Sequence, residues 1–156
     1  MLSRACHIAI RATVYLALHS GASYVNTKEI GRVLGESHHF VAKVLNQLAG
    51  AGILHSYRGP NGGVALSKSP DKLYLKDIIA VVDGKGALEG CVLGNAKCSA
   101  SNPCALHEDW SPIRQQIMDL VENRSLGQIA ERIRILSANS EGALTSSDFY
   151  LRQKTH

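Results

Sequence analysis

Residues 26–67 place helix caps, helical apolar spacing and glycine stops in an order that few folds can accommodate. One short helix is predicted from an N-cap at Asn26 or Thr27 to the stop at Gly35, and a second runs from the N-cap Ser37 to Gly50. The turn between them is three residues long and contains glycine, which is typical of a helix-turn-helix. An apolar period at helical spacing over residues 4–19 predicts a further helix before this pair.

A β-hairpin is predicted directly after the helix pair. Two short apolar segments, 53–57 and 64–67, flank the sequence Arg-Gly-Pro-Asn-Gly-Gly at residues 58–63. A phosphate-binding loop would need a Lys-Ser/Thr pair and a following helix, whereas here a second apolar segment and Pro70 follow. Three helices and a hairpin predict a winged helix-turn-helix, so the fold class is mainly α with a small β-hairpin wing.

The remaining chain is predicted to contain a short helix, a loop and two further helices. The long helix that starts near Asp109 carries a narrow apolar stripe and lies outside the finished winged helix. It is therefore expected to have nothing in its own chain to pack against and to pack on a second copy of the chain. The stripe consists of Ile113, Ile117, Leu120 and Val121. We therefore expect a DNA-binding domain at 1–84, a cysteine-rich loop at 85–108, dimerisation helices at 109–136 and a tail without regular structure at 137–156.

Three of the four cysteines lie in one loop-like stretch, which also contains a histidine. The residues are Cys91, Cys98, Cys104 and His107. Thiolates and imidazole are ligands for soft metals and iron–sulfur clusters. A zinc site is the alternative, but structural zinc sites use closely spaced cysteine pairs, and the gaps here hold six and five residues. Cys6, which lies alone on the first helix, is predicted to be a core residue.

Basic residues are concentrated in the first half of the chain. Residues 1–70 hold seven Lys or Arg against two acids, whereas residues 71–156 hold ten against eleven. A basic half with a helix-turn-helix indicates nucleic-acid binding, and a merely solvated basic face is the alternative. The predicted DNA contacts lie on the third helix and at the hairpin tip, where the arginine would enter the minor groove. They are Ser37, His38, His39, Lys43, Arg58 and Asn61.

The sequence argues against several other classes of protein. No apolar run approaches the roughly 18 residues of a membrane span, and no secretory signal is evident, so a cytoplasmic protein without a membrane partner is expected. Thiols stay reduced in that compartment, which favours metal or redox chemistry over disulfides. We find no Ser/His/Asp set, paired carboxylates or nucleotide motif, so no catalytic residue is assigned and an enzyme is not expected. A small redox protein remains an alternative.

Four features together resemble one known family. They are Tyr-Arg-Gly-Pro-Asn-Gly-Gly-Val at 57–64, Leu-Lys-Asp-Ile-Ile-Ala-Val-Val-Asp-Gly at 75–84, the three loop cysteines, and Ser-Leu-Gly-Gln-Ile-Ala at 125–130. The chain resembles the Rrf-two family of bacterial winged-helix regulators, the group that contains the iron–sulfur regulator IscR and the nitric-oxide sensor NsrR. The resemblance implies a homodimer that binds double-stranded DNA at a palindromic operator and carries one cluster per subunit.

The resemblance also implies a ligand set and a function. In the IscR branch, three cysteines and a histidine at the spacing of Cys91, Cys98, Cys104 and His107 hold a 2Fe–2S cluster. Other branches complete the cluster with an acidic side chain from the partner's first helix, and His7 matches that position, which leaves the fourth ligand and a 4Fe–4S cluster open. The implied function is a repressor whose operator binding responds to redox state, nitric oxide or cluster supply. A regulator that uses cysteine oxidation or zinc is the alternative.

Overall fold

A computed structural model of the protein describes residues 2–19, 24–60, 62–94 and 99–138. The described residues form six α-helices, one hairpin and a short 3-10 helix. In chain order these are α1 (Arg4–Leu18), α2 (Thr27–Leu34), α3 (His38–Gly50), β1 (Leu54–Tyr57), β2 (Gly63–Leu66), the 3-10 helix (Pro70–Lys72), α4 (Leu75–Val82), α5 (His107–Asn123) and α6 (Leu126–Ala138). The predicted fold class, mainly helical with a small hairpin, is confirmed.

The helix-turn-helix forms at the residues that its caps predict. Asn26 Oδ1 accepts a hydrogen bond from the amide of Lys28 at 2.8 Å, and Ser37 Oγ accepts one from the amide of Phe40 at 3.3 Å. Gly35 ends α2 with φ at 59°, a left-handed conformation that glycine adopts without steric cost. These local signals direct α3 away from α2 after a single short turn.

The hairpin is antiparallel and lies against the segment that precedes α2. Leu54 pairs with Leu66 and Tyr57 with Gly63, so the tip comprises residues 58–62. Val25 exchanges two backbone hydrogen bonds with Val64, each 2.9 Å long. A Cβ atom at Gly63 would collide with the carbonyl of Val25, so glycine is required for this close approach. The wing is therefore attached to the helix-turn-helix by backbone hydrogen bonds.

One hydrophobic core joins the winged helix to the last helix. Buried side chains of α1, α2, α3 and the hairpin pack with Leu73, Ile78 and three residues of α6. The α6 residues are Leu126, Ala130 and Ile133. The last helix thus packs within the core that contains the first helix. The predicted boundaries at residues 84, 108 and 136 stay a prediction.

The long helix α5 has one packed side and one exposed side. Val121 is buried with Cys6 and Ile79, so α5 packs on α4 in its own chain. This corrects the expectation that α5 has nothing in its own chain to pack against. Ile113 and Leu120, on the other side of α5, remain 49% and 52% exposed. Of the predicted tail, residues 137–138 belong to α6, and residues 139–156 lie outside the described part of the chain.

Among the described residues, no helix combines the length and apolar character that a membrane crossing requires.

Candidate metal centre and nucleic-acid interface

The entrance of the cysteine loop is hydrogen-bonded to α5. The indole Nε1 of Trp110 donates to the carbonyl of Gly90 at 3.1 Å, and Arg114 donates to the carbonyl of Glu89 at 2.8 Å. Both carbonyls lie immediately before Cys91, so these bonds hold that cysteine beside the start of α5. The loop then turns sharply, because the amide of Gly94 donates back to the carbonyl of Cys91 at 2.9 Å.

The loop brings two of the predicted ligands together. The Sγ atoms of Cys91 and Cys104 are 3.6 Å apart, and both side chains are half-buried. A disulfide would need a separation of about 2.05 Å, so the pair is not bonded. Two thiolates on one tetrahedral metal, each about 2.3 Å from it, lie about 3.8 Å apart by simple geometry. The pair therefore fits two adjacent positions on a single iron or zinc ion.

The other predicted ligands are placed less completely. His107 is the first residue of α5, and its amide donates to the carbonyl of Cys104 at 3.0 Å. Cys98 lies outside the described residues, and His7 is exposed on the first turn of α1. Within the described ranges, no three His, Cys, Asp or Glu side chains cluster closely enough to hold a metal. Among the described residues, the structure thus brings the thiols of Cys91 and Cys104 together.

The fourth cysteine is buried beside a carboxylate. Cys6 is fully buried, and its thiol donates to the carboxylate of Asp83. Burial, together with the negative charge and hydrogen bond of Asp83, raises the pKa of Cys6 to about 12. Its neutral state therefore stabilises the fold below the unfolded thiol pKa, and that contribution is lost as pH rises between 9.0 and about 12. This environment agrees with the prediction of a core residue.

Asp83 connects the end of α4 to the start of α1. Desolvation opposes its ionisation, but hydrogen bonds from the amide and hydroxyl of Ser3 and from Cys6, with the nearby charge of His7, outweigh it and lower the pKa of Asp83. The ionised Asp83 therefore contributes to the free energy of unfolding above its ordinary carboxyl pKa. That contribution is lost as pH falls through the lowered pKa of the folded state.

Thiol alkylation should distinguish Cys6 from the loop cysteines. At pH 8, iodoacetamide should label Cys6 in folded, metal-free protein at least roughly 100-fold more slowly than Cys104, because the reagent attacks the thiolate of an accessible cysteine. Differential alkylation followed by mass spectrometry measures both rates. Unfolding in guanidinium is the control and should equalise them. Similar rates in the folded protein would contradict the buried placement of Cys6.

The start of α1 also contacts the helix-turn-helix. Arg4 forms an ion pair with Glu36 at 2.7 Å, and its guanidinium lies 5.6 Å from the ring centroid of Phe40. Ala87 and Leu88, which begin the cysteine loop, pack against the cluster that contains Cys6. The first turns of α1 therefore lie between the cysteine loop and the helix-turn-helix.

One face of α3 and its N-cap carry polar and basic side chains. Ser37 Oγ is engaged in capping, and His38 Nε2 lies 3.1 Å from the hydroxyl of Thr27. His39 and Lys43 are exposed one turn apart. Asn46 is exposed on the same face at the i, i+7 position and was missed in the sequence analysis, although the spacing from His39 could have identified it.

The tip of the wing is only partly described. Arg58 directly follows β1 and is exposed, whereas Asn61 lies outside the described residues. Arg58 thus extends from the end of a strand that is anchored in the core by Leu54.

A broad groove of about 750 Å³ runs beside the exposed stripe of α5. Leu75, Leu120, Ile129 and Ile133 contribute apolar surface, and the charged side chains of Glu131 and Arg132 also line it. Leu120 belongs to both the stripe and the groove, so the two form one continuous apolar surface.

Known proteins are similar to this chain in sequence and in fold. Residues 2–132 match the sequence profile of the Rrf2 (Rrf-two) family, described as iron-dependent transcriptional regulators. A candidate HTH-type transcriptional regulator of Aquifex aeolicus is 37% identical over 120 residues, which cover 76% of this chain and 83% of the relative. The IscR regulator of Aliivibrio salmonicida is 28% identical and the match covers 89% of this chain and 88% of IscR.

A solved structure has the same fold. The structure of CymR, the global cysteine regulator of B. subtilis, superposes with a TM-score of 0.73 at 23% identity, covering 85% of this chain and 97% of CymR. Because the family profile spans most of the chain, and the structure has the winged helix that such regulators use, the chain belongs to the Rrf2 family of DNA-binding transcriptional regulators.

Proposed function

We propose that this chain is a repressor whose operator binding is controlled by an iron–sulfur cluster held in the cysteine loop. The observation that carries the proposal is the approach of Cys91 and Cys104 to 3.6 Å, in a loop hydrogen-bonded to α5. The likeness to IscR over most of the chain supports it further. The signal is redox state, nitric oxide or cluster supply.

The donor set suits iron with sulfide. Cys91, Cys98 and Cys104 supply three thiolates, and His107 or His7 of the partner subunit supplies the fourth ligand. One cluster of this kind, 2Fe–2S in preference to 4Fe–4S, provides one-electron chemistry, and imidazole ligation raises its potential relative to thiolate alone. A histidine ligand also makes binding sensitive to pH near neutrality, because protonation competes with ligation.

The route from loop to DNA runs through the first turns of α1. Movement of the loop would shift Ala87 and Leu88 on the apolar cluster around Cys6. Arg4 bonds to Glu36 in the turn of the helix-turn-helix and lies against Phe40 of α3. In a dimer, recognition helices must match half-sites about 34 Å apart, so small shifts of α3 change affinity. These contacts support a coupling between ligand state and operator binding.

The DNA contacts are proposed on α3 and the wing. His39, Lys43 and Asn46 share an exposed face that would enter the major groove. Ser37 and His38 lie at the start of the same helix, where the cap and the contact with Thr27 position them. Arg58 and Asn61 at the wing tip would reach the adjacent minor groove.

Substitution of the wing arginine tests this placement. Arg58→Ala should weaken binding to a duplex selected by the wild-type protein by about 1–3 kcal/mol, because the guanidinium is lost from the minor groove. The slope of log K against log salt should fall by about one unit. Fluorescence anisotropy measures both, and Lys85→Ala, an exposed charge loss on the cysteine-loop side, is the matched control. If Arg58→Ala and Lys85→Ala changed the affinity equally, Arg58 would not be a specific contact of the DNA interface.

The proposed homodimer forms through α5. Ile113 and Leu120 leave an exposed apolar stripe that continues into the groove beside α6. A second copy of the chain is proposed to cover this surface, because two-fold symmetry would bury the two α5 stripes against each other. The same symmetry would place two α3 helices on the two halves of one palindrome.

Anaerobic purification with iron and sulfide analysis tests the cluster. Protein prepared without oxygen should be brown, contain acid-labile sulfide, and bind a selected operator with an affinity that differs between the cluster-loaded and the apo form. Protein that contains zinc and no acid-labile sulfide would overturn the cluster proposal, whereas the assignment as a transcriptional regulator would still stand.

Direct cysteine chemistry is the second candidate. The thiols of Cys91 and Cys104, 3.6 Å apart, need only a small approach to form a disulfide. In that case colourless protein treated with peroxide would lose two free thiols per chain, and operator binding would change without any metal.

A further inference from the structure

Two exposed tyrosines are paired between the wing and the helix-turn-helix. The ring centroids of Tyr24 and Tyr57 are 5.5 Å apart with an interplanar angle of 33°. Tyr24 is 40% exposed and Tyr57 is 57% exposed. Neither residue therefore serves to fill the core, and both side chains are accessible to a partner.

The backbone holds this pair at a defined place. Tyr57 is the last residue of β1, directly before Arg58 at the tip. Tyr24 precedes Val25, which is bonded to Val64 of β2 in both directions. Thr27 lies 3.1 Å from His38 Nε2, which connects the start of α2 to the start of α3. The pair thus lies where the wing meets the segment that leads into α2, and Tyr57 directly precedes Arg58.

The surroundings of the pair suit an anionic partner. Arg58 and Lys28 are exposed basic residues next to it in the chain. Glu29 is the acidic residue in the first turn of α2, and its carboxylate accepts a hydrogen bond from the buried Tyr15 at 2.8 Å. Tyrosine hydroxyls are regular donors to phosphate oxygens in protein–DNA complexes, and their rings can pack against the sugar.

We propose that the Tyr24–Tyr57 pair binds the deoxyribose-phosphate backbone between the two grooves, with each hydroxyl donating to a phosphate oxygen. The contact between the tilted rings restrains the two hydroxyls relative to each other, so the pair sets the position of the wing on the duplex relative to α3. The inference rests on the proposed DNA interface and adds two neutral contacts that carry no sequence information themselves.

The test removes the hydroxyls and keeps the rings. Tyr24→Phe and Tyr57→Phe are compared with wild type by fluorescence anisotropy on two labelled 30-base-pair duplexes, one selected from a random library by the wild-type protein and one of random sequence. Tyr74→Phe is the matched control, since Tyr74 precedes α4 and bridges to Ser125, away from the wing. Both test residues are exposed, so thermal unfolding of the variants should match wild type.

Each phenylalanine variant should bind the selected duplex roughly three- to tenfold more weakly, the size of one typical hydrogen bond lost at a solvent-exposed site. The salt slope should stay unchanged, because a neutral donor releases no counterion, in contrast to Arg58→Ala. Wild-type affinity in both variants, or an equal loss in Tyr74→Phe, would overturn the inference. A wild-type protein that selects no duplex from the random library would instead overturn the proposed function.

Discussion

Cys91→Ala and Cys104→Ala are each expected to abolish stable cluster binding. The two thiols lie 3.6 Å apart and would occupy adjacent positions on one iron, so loss of either removes a ligand that no other described thiol can replace. Anaerobically prepared variants should lack the visible absorbance and acid-labile sulfide of the wild type. Apo protein of each variant should keep its helical circular dichroism, because both side chains are only half-buried in the loop.

The matched control is the same substitution at the fourth cysteine. Cys6→Ala exchanges a buried apolar side chain for a smaller one and removes a donor to Asp83, so it should lower thermal stability while leaving the cluster intact. A variant of Cys91 that retains a full complement of iron and sulfide would disprove the ligand assignment. Loss of the spectrum in His107→Ala but not His7→Ala identifies the fourth ligand as His107, and the reverse pattern identifies the histidine of the partner.

Leu120→Asp is expected to convert the dimer into monomers. Leu120 is 52% exposed in the single chain and lies where the α5 stripe meets the groove, so an aspartate there is solvated in the monomer. In a two-fold interface the substitution occurs twice, and each buried carboxylate costs several kcal/mol. The dimer dissociation constant should rise by more than roughly 100-fold, which corresponds to about 2.8 kcal/mol. Sedimentation velocity across a concentration series measures the shift.

Gln115→Asp is the matched control on the same helix. Gln115 is exposed on the side of α5 opposite the stripe, and its side chain donates to Asp119 at 2.9 Å, a surface contact of small value. This variant adds the same charge and should remain dimeric. Thermal unfolding of both variants at low concentration separates loss of the dimer from loss of the fold. If the Leu120→Asp protein remained dimeric, the assignment of the dimer interface to α5 would be wrong.

The helix-turn-helix and the wing could be predicted because their signals are local. Asn26 and Ser37 bond to amides two and three residues ahead, and Gly35 ends its helix by its own backbone conformation. Each of these interactions spans only a few residues, so the local sequence predicts the helix boundaries without knowledge of the tertiary contacts. The same holds for the cysteine loop, where the residue types indicated the chemistry before any geometry was known.

The side of α5 that packs within the chain could not be predicted in this way. Its apolar stripe was visible in the sequence, but Val121 was grouped with residues that face outward. In the structure it is buried against Ile79 and Cys6, more than forty residues away in the chain. A helical period identifies an apolar face and does not specify which surface covers it.

The sequence by itself determined the class of fold, the location of the wing and the set of thiols available for a metal. Tertiary structure alone decided which distant groups meet: Cys91 with Cys104, Asp83 with Ser3 and Cys6, Arg4 with Glu36, and Tyr24 with Tyr57. Such contacts depend on how whole helices pack around a shared core, and core packing constrains volume and apolarity without leaving a spacing in the sequence. The proposed link between cluster and operator rests on these long-range contacts.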